Sequence, residues 1–130
     1  MNYLKHAISY HRAGLKVIPF WNNGNGKRFP GGYAKYRDKQ TESDIHQLFG
    51  VTCDGIALLC TDGIEAIDID MKHDPEQKID REWFDYVKMY ESGEDDLKQC
   101  VIQKTKSGGW HVIYRTDKQE GNAKLCNREG

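Results

Sequence analysis

The stretch Ile64-Glu-Ala-Ile-Asp68-Ile-Asp70-Met71 constrains this chain more than any other. Apolar and polar residues alternate there, and a period of two is the mark of a half-buried strand. Ile67, Ile69 and Met71 then share the face turned to a core, while Asp68 and Asp70 share the opposite face. Two carboxylates side by side on one sheet face repel each other, and a divalent cation between them is the common resolution. A purely structural alternative exists, because an aspartate at a strand end can cap the following loop or pair with Lys72. A strand interior is nevertheless an unfavourable place for two parallel acids.

The second informative segment is Lys106-Ser107-Gly108-Gly109-Trp110-His111-Val112. Its glycines read as a turn between two antiparallel strands, Cys100 to Lys104 and Trp110 to Arg115. The turn places His111 near the start of the second strand. Small residues beside a lone histidine suit a place where backbone approaches a phosphate, although Ser-Gly-Gly alone is also an ordinary hairpin turn.

The rest of the chain reads as alternating helices and strands. Asn2 to Ala13 has Leu4, Ala7, Ile8 and His11 on one helical face, with Gly14 to end it. Lys16 to Phe20 is a short strand, expected at an edge because Pro19 has no N–H for a ladder. About twenty residues without periodicity follow. Among them Lys27, Arg28, Lys35, Arg37 and Lys39 are interleaved with Phe29, Tyr33 and Tyr36. Basic and aromatic side chains in a long loop suit contacts to phosphates and bases. Thr41-Glu-Ser-Asp44 opens a helix with Ile45, Leu48 and Phe49 on its apolar face. Gly55 to Leu59 is a strand, joined to Ile64–Met71 by a turn at Thr61-Asp62-Gly63. Asp74-Pro75 reads as an N-cap followed by proline at the first helical position. The helix it opens is expected to bury Ile79, Trp83, Tyr86, Val87 and Tyr90. His73 and Asp74 follow the acidic strand closely, but loop histidine and helix cap are their better readings.

A chain of 130 residues with 38% hydrophobic content suits one globular domain. No long apolar run suggests a membrane span or a signal peptide. Cys53, Cys60, Cys100 and Cys126 are scattered without a C-x-x-C pair, which points to reduced thiols in a cytoplasmic protein rather than a zinc site. The net charge of −1 conceals segregation. Residues 1–50 hold eight Lys/Arg against three Asp/Glu, and residues 51–98 hold five against fourteen. A basic first third could face a polyphosphate backbone while the acidic centre holds metal, although charged solvent-facing helices explain much of the imbalance.

Taken in order, these motifs resemble the primase-polymerase N-terminal domain of phage and mobile-element replication proteins, in the archaeo-eukaryotic primase superfamily. The resemblance runs from Ala7–Pro19 through Gly26-Lys27-Arg28-Phe29-Pro30 and Thr41–Phe49 to the D-x-D strand and the Ser107–His111 turn. It implies an α+β fold, with a mainly antiparallel RRM-like palm sheet, helices on one side and an extra N-terminal α/β unit. It implies template-dependent nucleotidyl transfer with NTP or dNTP, two Mg²⁺ or Mn²⁺ ions, and a single-stranded DNA template. Asp68 and Asp70 would hold metal, and His111 would touch the incoming triphosphate. Ser107, Gly108, Gly109, Lys27 and Arg28 would bind nucleotide. A helicase or other replication domain would follow in the full protein. The family's Lys-Arg-Pro segment is interrupted here by Phe29, with Tyr36 near its usual tryptophan.

The family also supplies a third acidic residue on a strand after the histidine motif. Glu120 and Glu129 do not suit that role, so the chain is expected to be a fragment ending before that strand. Two other functions fit parts of the pattern. A nucleotide-sugar glycosyltransferase would use D-x-D to hold Mn²⁺ and a sugar diphosphate. A non-catalytic RRM-like module would read nucleic acid through aromatics exposed on its sheet.

Overall fold

A computed structural model describes residues 2–72 and 74–119. His73, Glu120, Cys126 and Glu129 therefore lie outside the described residues. The chain divides into two compact units, Met1–Thr61 and Asp62–Gly130. Each has its own antiparallel three-stranded sheet, so the fold is α+β as expected. The turn expected at Thr61-Asp62-Gly63 is present, with Asp62 and Gly63 both at positive φ (56° and 83°). It joins strands of separate sheets rather than partners in one.

The first unit contains α1 (Leu4–Arg12), β1 (Val17–Asn22), β2 (Lys27–Arg28), a 3₁₀ helix (Tyr33–Arg37), α2 (Glu42–Phe49) and β3 (Gly55–Leu58). Its sheet order is β2-β1-β3. Neighbours along β1 point to opposite faces, and they feed different cores. Val17 packs with Ala7, Ile45, Phe49 and Cys53, whereas Ile18 packs with Tyr36 and Leu59. Burying Ile45 and Phe49 completely contributes about 2–3 kcal/mol each. Burial raises the Cys53 thiol above its ordinary pKa, which keeps it protonated and inert.

β1 lies between two strands rather than at an edge, and Pro19 is accommodated for a geometric reason. The amide of Gln40 takes both outward groups of Val17: Val17 N–H donates to Oε1 (3.0 Å), and Nε2 donates to the Val17 carbonyl (2.8 Å). Groups of alternate residues turn to the same side of a strand, so Pro19's missing donor falls on that side too. β2 pairs only with Trp21 and Asn22, beyond the proline. The ladder to β3 continues past Pro19, opposite Ile56.

The helix start at Thr41 is a complete capping box. The Asp44 N–H donates to Thr41 Oγ1 (3.1 Å), and the Thr41 N–H donates to Asp44 Oδ2 (2.8 Å). That backbone bond holds the Asp44 carboxyl below the ordinary carboxylate range. A depressed folded-state pKa stabilises the fold above the unfolded value, and the contribution disappears as pH falls through the folded value. Thr41→Ala removes the hydroxyl that accepts the Asp44 N–H and is expected to cost about 1 kcal/mol. Asp44→Asn should also flatten the loss of thermal stability below about pH 4, followed by circular dichroism.

The second unit contains β4 (Ile64–Ile69), α3 (Ile79–Lys88), α4 (Gly93–Lys98), β5 (Val101–Lys104) and β6 (Trp110–Arg115). Its sheet order is β4-β6-β5, antiparallel throughout. β4 and β5 thus run in the same direction with β6 inserted between them, a split β-α-β arrangement. Ile69, Met71 and Val112 form the core, packed by Ile67, Ile79, Trp83, Phe84, Cys100 and Trp110. Phe84 meets both Trp83 and Trp110 edge to face, a favoured geometry for aromatic rings.

Two expectations for α3 fail. The helix opens at Ile79 rather than behind Pro75, because Gln77 sits at φ 57° and interrupts the backbone. Asp74 is only 2% exposed, yet it lies outside the helix. Its carboxylate accepts N–H bonds from Glu76, Lys78 and Ile79 (2.7–3.1 Å), fastening the loop to the first helical turn. Tyr86 and Tyr90, expected in the core, are 57% and 58% exposed. Their hydroxyls bond each other at 2.7 Å, and α3 meets the core instead through the half-buried Ile79, Trp83 and Phe84. A tyrosine hydroxyl favours water or a polar partner, which a phenylalanine does not need. No described helix is long and apolar enough to cross a membrane.

Candidate active site

β4 and β6 pair so that Asp68 lies directly opposite His111. Residues opposed across a ladder share a face. That face is turned away from the Ile69–Val112 core and from the helix residues packed there. The two strand motifs are thereby brought together by register alone. His111 Nε2 is 3.6 Å from Asp68 Oδ1, with the side chains 44% and 72% exposed. β5 adds Gln103 opposite His111, so a polar row of Asp68, His111 and Gln103 crosses all three strands. Gln103 was missed in the sequence. No local pattern marks it, because its place follows from the register of β5 against β6.

Asp70 follows the last residue of β4. Its Oδ1 accepts the Lys72 N–H (3.0 Å), and its Oδ2 lies 3.7 Å from Lys72 Nζ. This is the capping and pairing that the structural alternative anticipates, a short Asx turn closing the strand. Asp68 and Asp70 thus differ: one faces an imidazole across the ladder, and the other braces the exit loop. Both remain exposed.

The Ser-Gly-Gly turn is tied from within. The Thr105 N–H donates to the Gly109 carbonyl (2.8 Å), and the Gly108 N–H to the Thr105 carbonyl (3.0 Å). The Gly109 N–H donates to Thr105 Oγ1 (2.9 Å). The two glycine amides expected to line a phosphate pocket are therefore engaged inside the turn. The glycines have separate structural reasons. Gly108 occupies φ 90°, open to glycine at little cost. A Cβ on Gly109 would run into the Ile69 carbonyl oxygen. Ser107 and His111 remain as polar side chains able to meet a ligand at this end of the sheet.

Trp110 fixes the turn from the core side. Its Nε1 donates to Asp80 Oδ2 on α3 (2.9 Å), and Lys104 Nζ sits 5.3 Å from its ring centroid.

Lys27 and Arg28 belong to the first unit. Lys27 Nζ lies 4.5 Å from the centroid of the Phe20 ring, and the Arg28 guanidinium 4.4 Å from that of Trp21. Cation–π contact orders both side chains while leaving the residues exposed. Phe29 and Tyr33 pack at 5.7 Å close by in sequence. The segment without periodicity is thus a short strand and a 3₁₀ helix carrying ordered cations.

Among the described residues, no group of three or more His, Cys, Asp or Glu gathers at a spacing suited to a metal ion. The chemistry of Asp68 and Asp70 nonetheless fits Mg²⁺ or Mn²⁺. These ions take one or two carboxylates and complete their shells with water and phosphate oxygens. Side-chain exposures of 72% and 45% leave room for such ligands. Comparisons with protein-family models, curated proteins and solved structures find no match for this chain.

Proposed function

We propose that this chain is a primase-polymerase-type domain that binds a nucleoside triphosphate on the open face of its second sheet, for transfer onto a strand paired with a single-stranded DNA template. The observation that carries the reading is the register of β4 against β6, which sets Asp68 opposite His111. The D-x-D and Ser-Gly-Gly-x-His motifs lie far apart in sequence, and the ladder brings Asp68 and His111 together on the face opposite the Ile69–Val112 core. The order β4-β6-β5, with helices on the other side, agrees with three strands of an RRM-like palm.

In this reading Asp68 and Asp70 hold Mg²⁺ or Mn²⁺, which lowers the pKa of the attacking 3′-hydroxyl and neutralises charge on the phosphates. Asp70 exchanges its contact with Lys72 Nζ for that role. The His111 ring and the Ser107 hydroxyl hydrogen-bond phosphate oxygens and orient the triphosphate. Thr105 and Gly109 hold the turn, so that donor positions are set before the ligand arrives.

The non-catalytic RRM alternative is disfavoured, since Ala66, Asp68, His111, Ile113, Val101 and Gln103 on this face include no Phe, Tyr or Trp to stack bases. The glycosyltransferase alternative leaves His111 without a task.

Lys27 and Arg28 are the cations proposed to meet the template backbone. Replacing both with alanine should weaken binding of a single-stranded oligonucleotide. It should also reduce the slope of log K against log salt by about 1.4, as expected for two lost phosphate contacts. An unchanged slope would remove these residues from the interface. The function itself is tested by Mn²⁺-dependent incorporation of dNTP on a primed single strand, assayed on a longer chain that carries the third acidic residue. Product whose sequence follows the template is expected there, whereas transfer of sugar from a UDP-sugar would overturn the reading.

A further inference from the structure

Thr105 is tied to both ends of the turn that carries Ser107. Its Oγ1 accepts the Gly109 N–H at 2.9 Å and lies 3.3 Å from Ser107 Oγ. A threonine hydroxyl has one hydrogen to give and two lone pairs to receive. With one lone pair taken by Gly109, the hydroxyl hydrogen is free to go to Ser107 Oγ. Ser107 then has its own hydrogen directed outward. We infer that Thr105 is a positioning residue, the middle of a relay from Gly109 N–H through the Thr105 and Ser107 hydroxyls to an oxygen of a bound phosphate.

The inference rests on the proposed nucleotide site, and it adds to that site a residue that the motif reading passed over. Linked donors polarise one another, so the last hydroxyl in the chain is a better donor than an isolated serine. The relay also fixes the direction of a side chain that is otherwise free to rotate on an exposed turn. Gly109 contributes a fixed amide because the Ile69 carbonyl leaves no space for a Cβ there.

The test is a set of titrations of a fluorescent dNTP in Mn²⁺, with thermal unfolding recorded for every variant. Thr105→Val keeps the shape and removes the hydroxyl, and it should weaken binding about fivefold, as for one lost hydrogen bond between neutral groups. Thr105→Ser should remain within about twofold of the native chain, because it keeps the relay. In a Ser107→Ala background, Thr105→Val should have little further effect, the signature of two residues acting as one unit. An equal loss in both backgrounds would mean that Thr105 only braces the turn, and the relay would be wrong. If Thr105→Val does not fold, Ser107→Ala alone decides, since unchanged binding there leaves the relay without an end. His111→Ala separates the two levels. Binding lost in His111→Ala but kept in Ser107→Ala overturns the relay alone, and binding kept in both overturns the nucleotide site with it.

Discussion

Replacing Asp68 and Asp70 together by asparagine is expected to abolish Mn²⁺ binding, lowering affinity by more than about a hundredfold. Even residues that only support metal ligands typically cost 10–100-fold when changed, and here both carboxylates would be lost. The fold should survive the change. Both side chains are exposed, and the asparagine oxygen at position 70 can still accept the Lys72 N–H. The Asp68–His111 contact at 3.6 Å is long and solvent-exposed, so its loss should cost under about 1 kcal/mol. Electron paramagnetic resonance of free Mn²⁺, read beside a thermal unfolding curve, separates the two effects. Undiminished Mn²⁺ binding by the folded variant would mean that the carboxylates are strand furniture, as Asp70's bond to Lys72 already allows. Template-directed incorporation should vanish with the metal.

The second large effect is expected at Gly109. A Cβ there meets the Ile69 carbonyl oxygen and stands 3.3 Å from Thr105 Oγ1. Neither neighbour can withdraw easily: one belongs to the strand that carries Asp68, and the other holds the Gly109 amide. Gly109→Ala should therefore destabilise the second unit by about 2–3 kcal/mol and weaken nucleotide binding by prising β6 from the end of β4. Gly108→Ala is the informative contrast. Nothing lies within 4 Å of a Cβ at Gly108, so its cost is the left-handed backbone at φ 90°, about 1–2 kcal/mol. Urea unfolding, followed by amide exchange of β4 and β6, distinguishes the variants. A Gly109→Ala protein as stable as the native chain would show that the strands do not approach as closely as described.

The strands were more legible than the helix faces. Period-two alternation placed Ile67, Ile69 and Met71 inward and both aspartates outward, and β6 occupies the expected Trp110–Arg115. The capping box at Thr41 and Asp44 was equally readable, because its partners are three residues apart. Tyr86 and Tyr90 were not readable in the same way. Their rings continue the apolar stripe, but α3 ends at Lys88 and their hydroxyls find each other outside the core. Pro19 misled for a similar reason, since the donor it lacks is unneeded only because a distant glutamine covers the neighbouring backbone. Such substitutions of side chain for strand leave no local pattern.

At the site, the motifs were readable but their hydrogen-bond economy was not. The sequence points to Asp68, Asp70, Ser107 and His111. It does not reveal that the Gly108 and Gly109 amides close on Thr105, nor that Gln103 extends the row across β5. Both facts depend on register and turn geometry. Lys27 and Arg28 were read as cations of a long loop, whereas they form a short strand with their side chains over Phe20 and Trp21. Glu120 and Glu129, judged unsuited to the third acidic position, lie outside the described residues.

The proposed metal-dependent nucleotide site on this sheet face is tested by titration of a fluorescent dNTP with and without Mn²⁺, competed by unlabelled dNTP and by a UDP-sugar. The expected result is binding that requires Mn²⁺, is displaced by dNTP rather than UDP-sugar, and is weakened in His111→Ala. Binding indifferent to Mn²⁺ and to His111, or no binding by the folded chain, would contradict it.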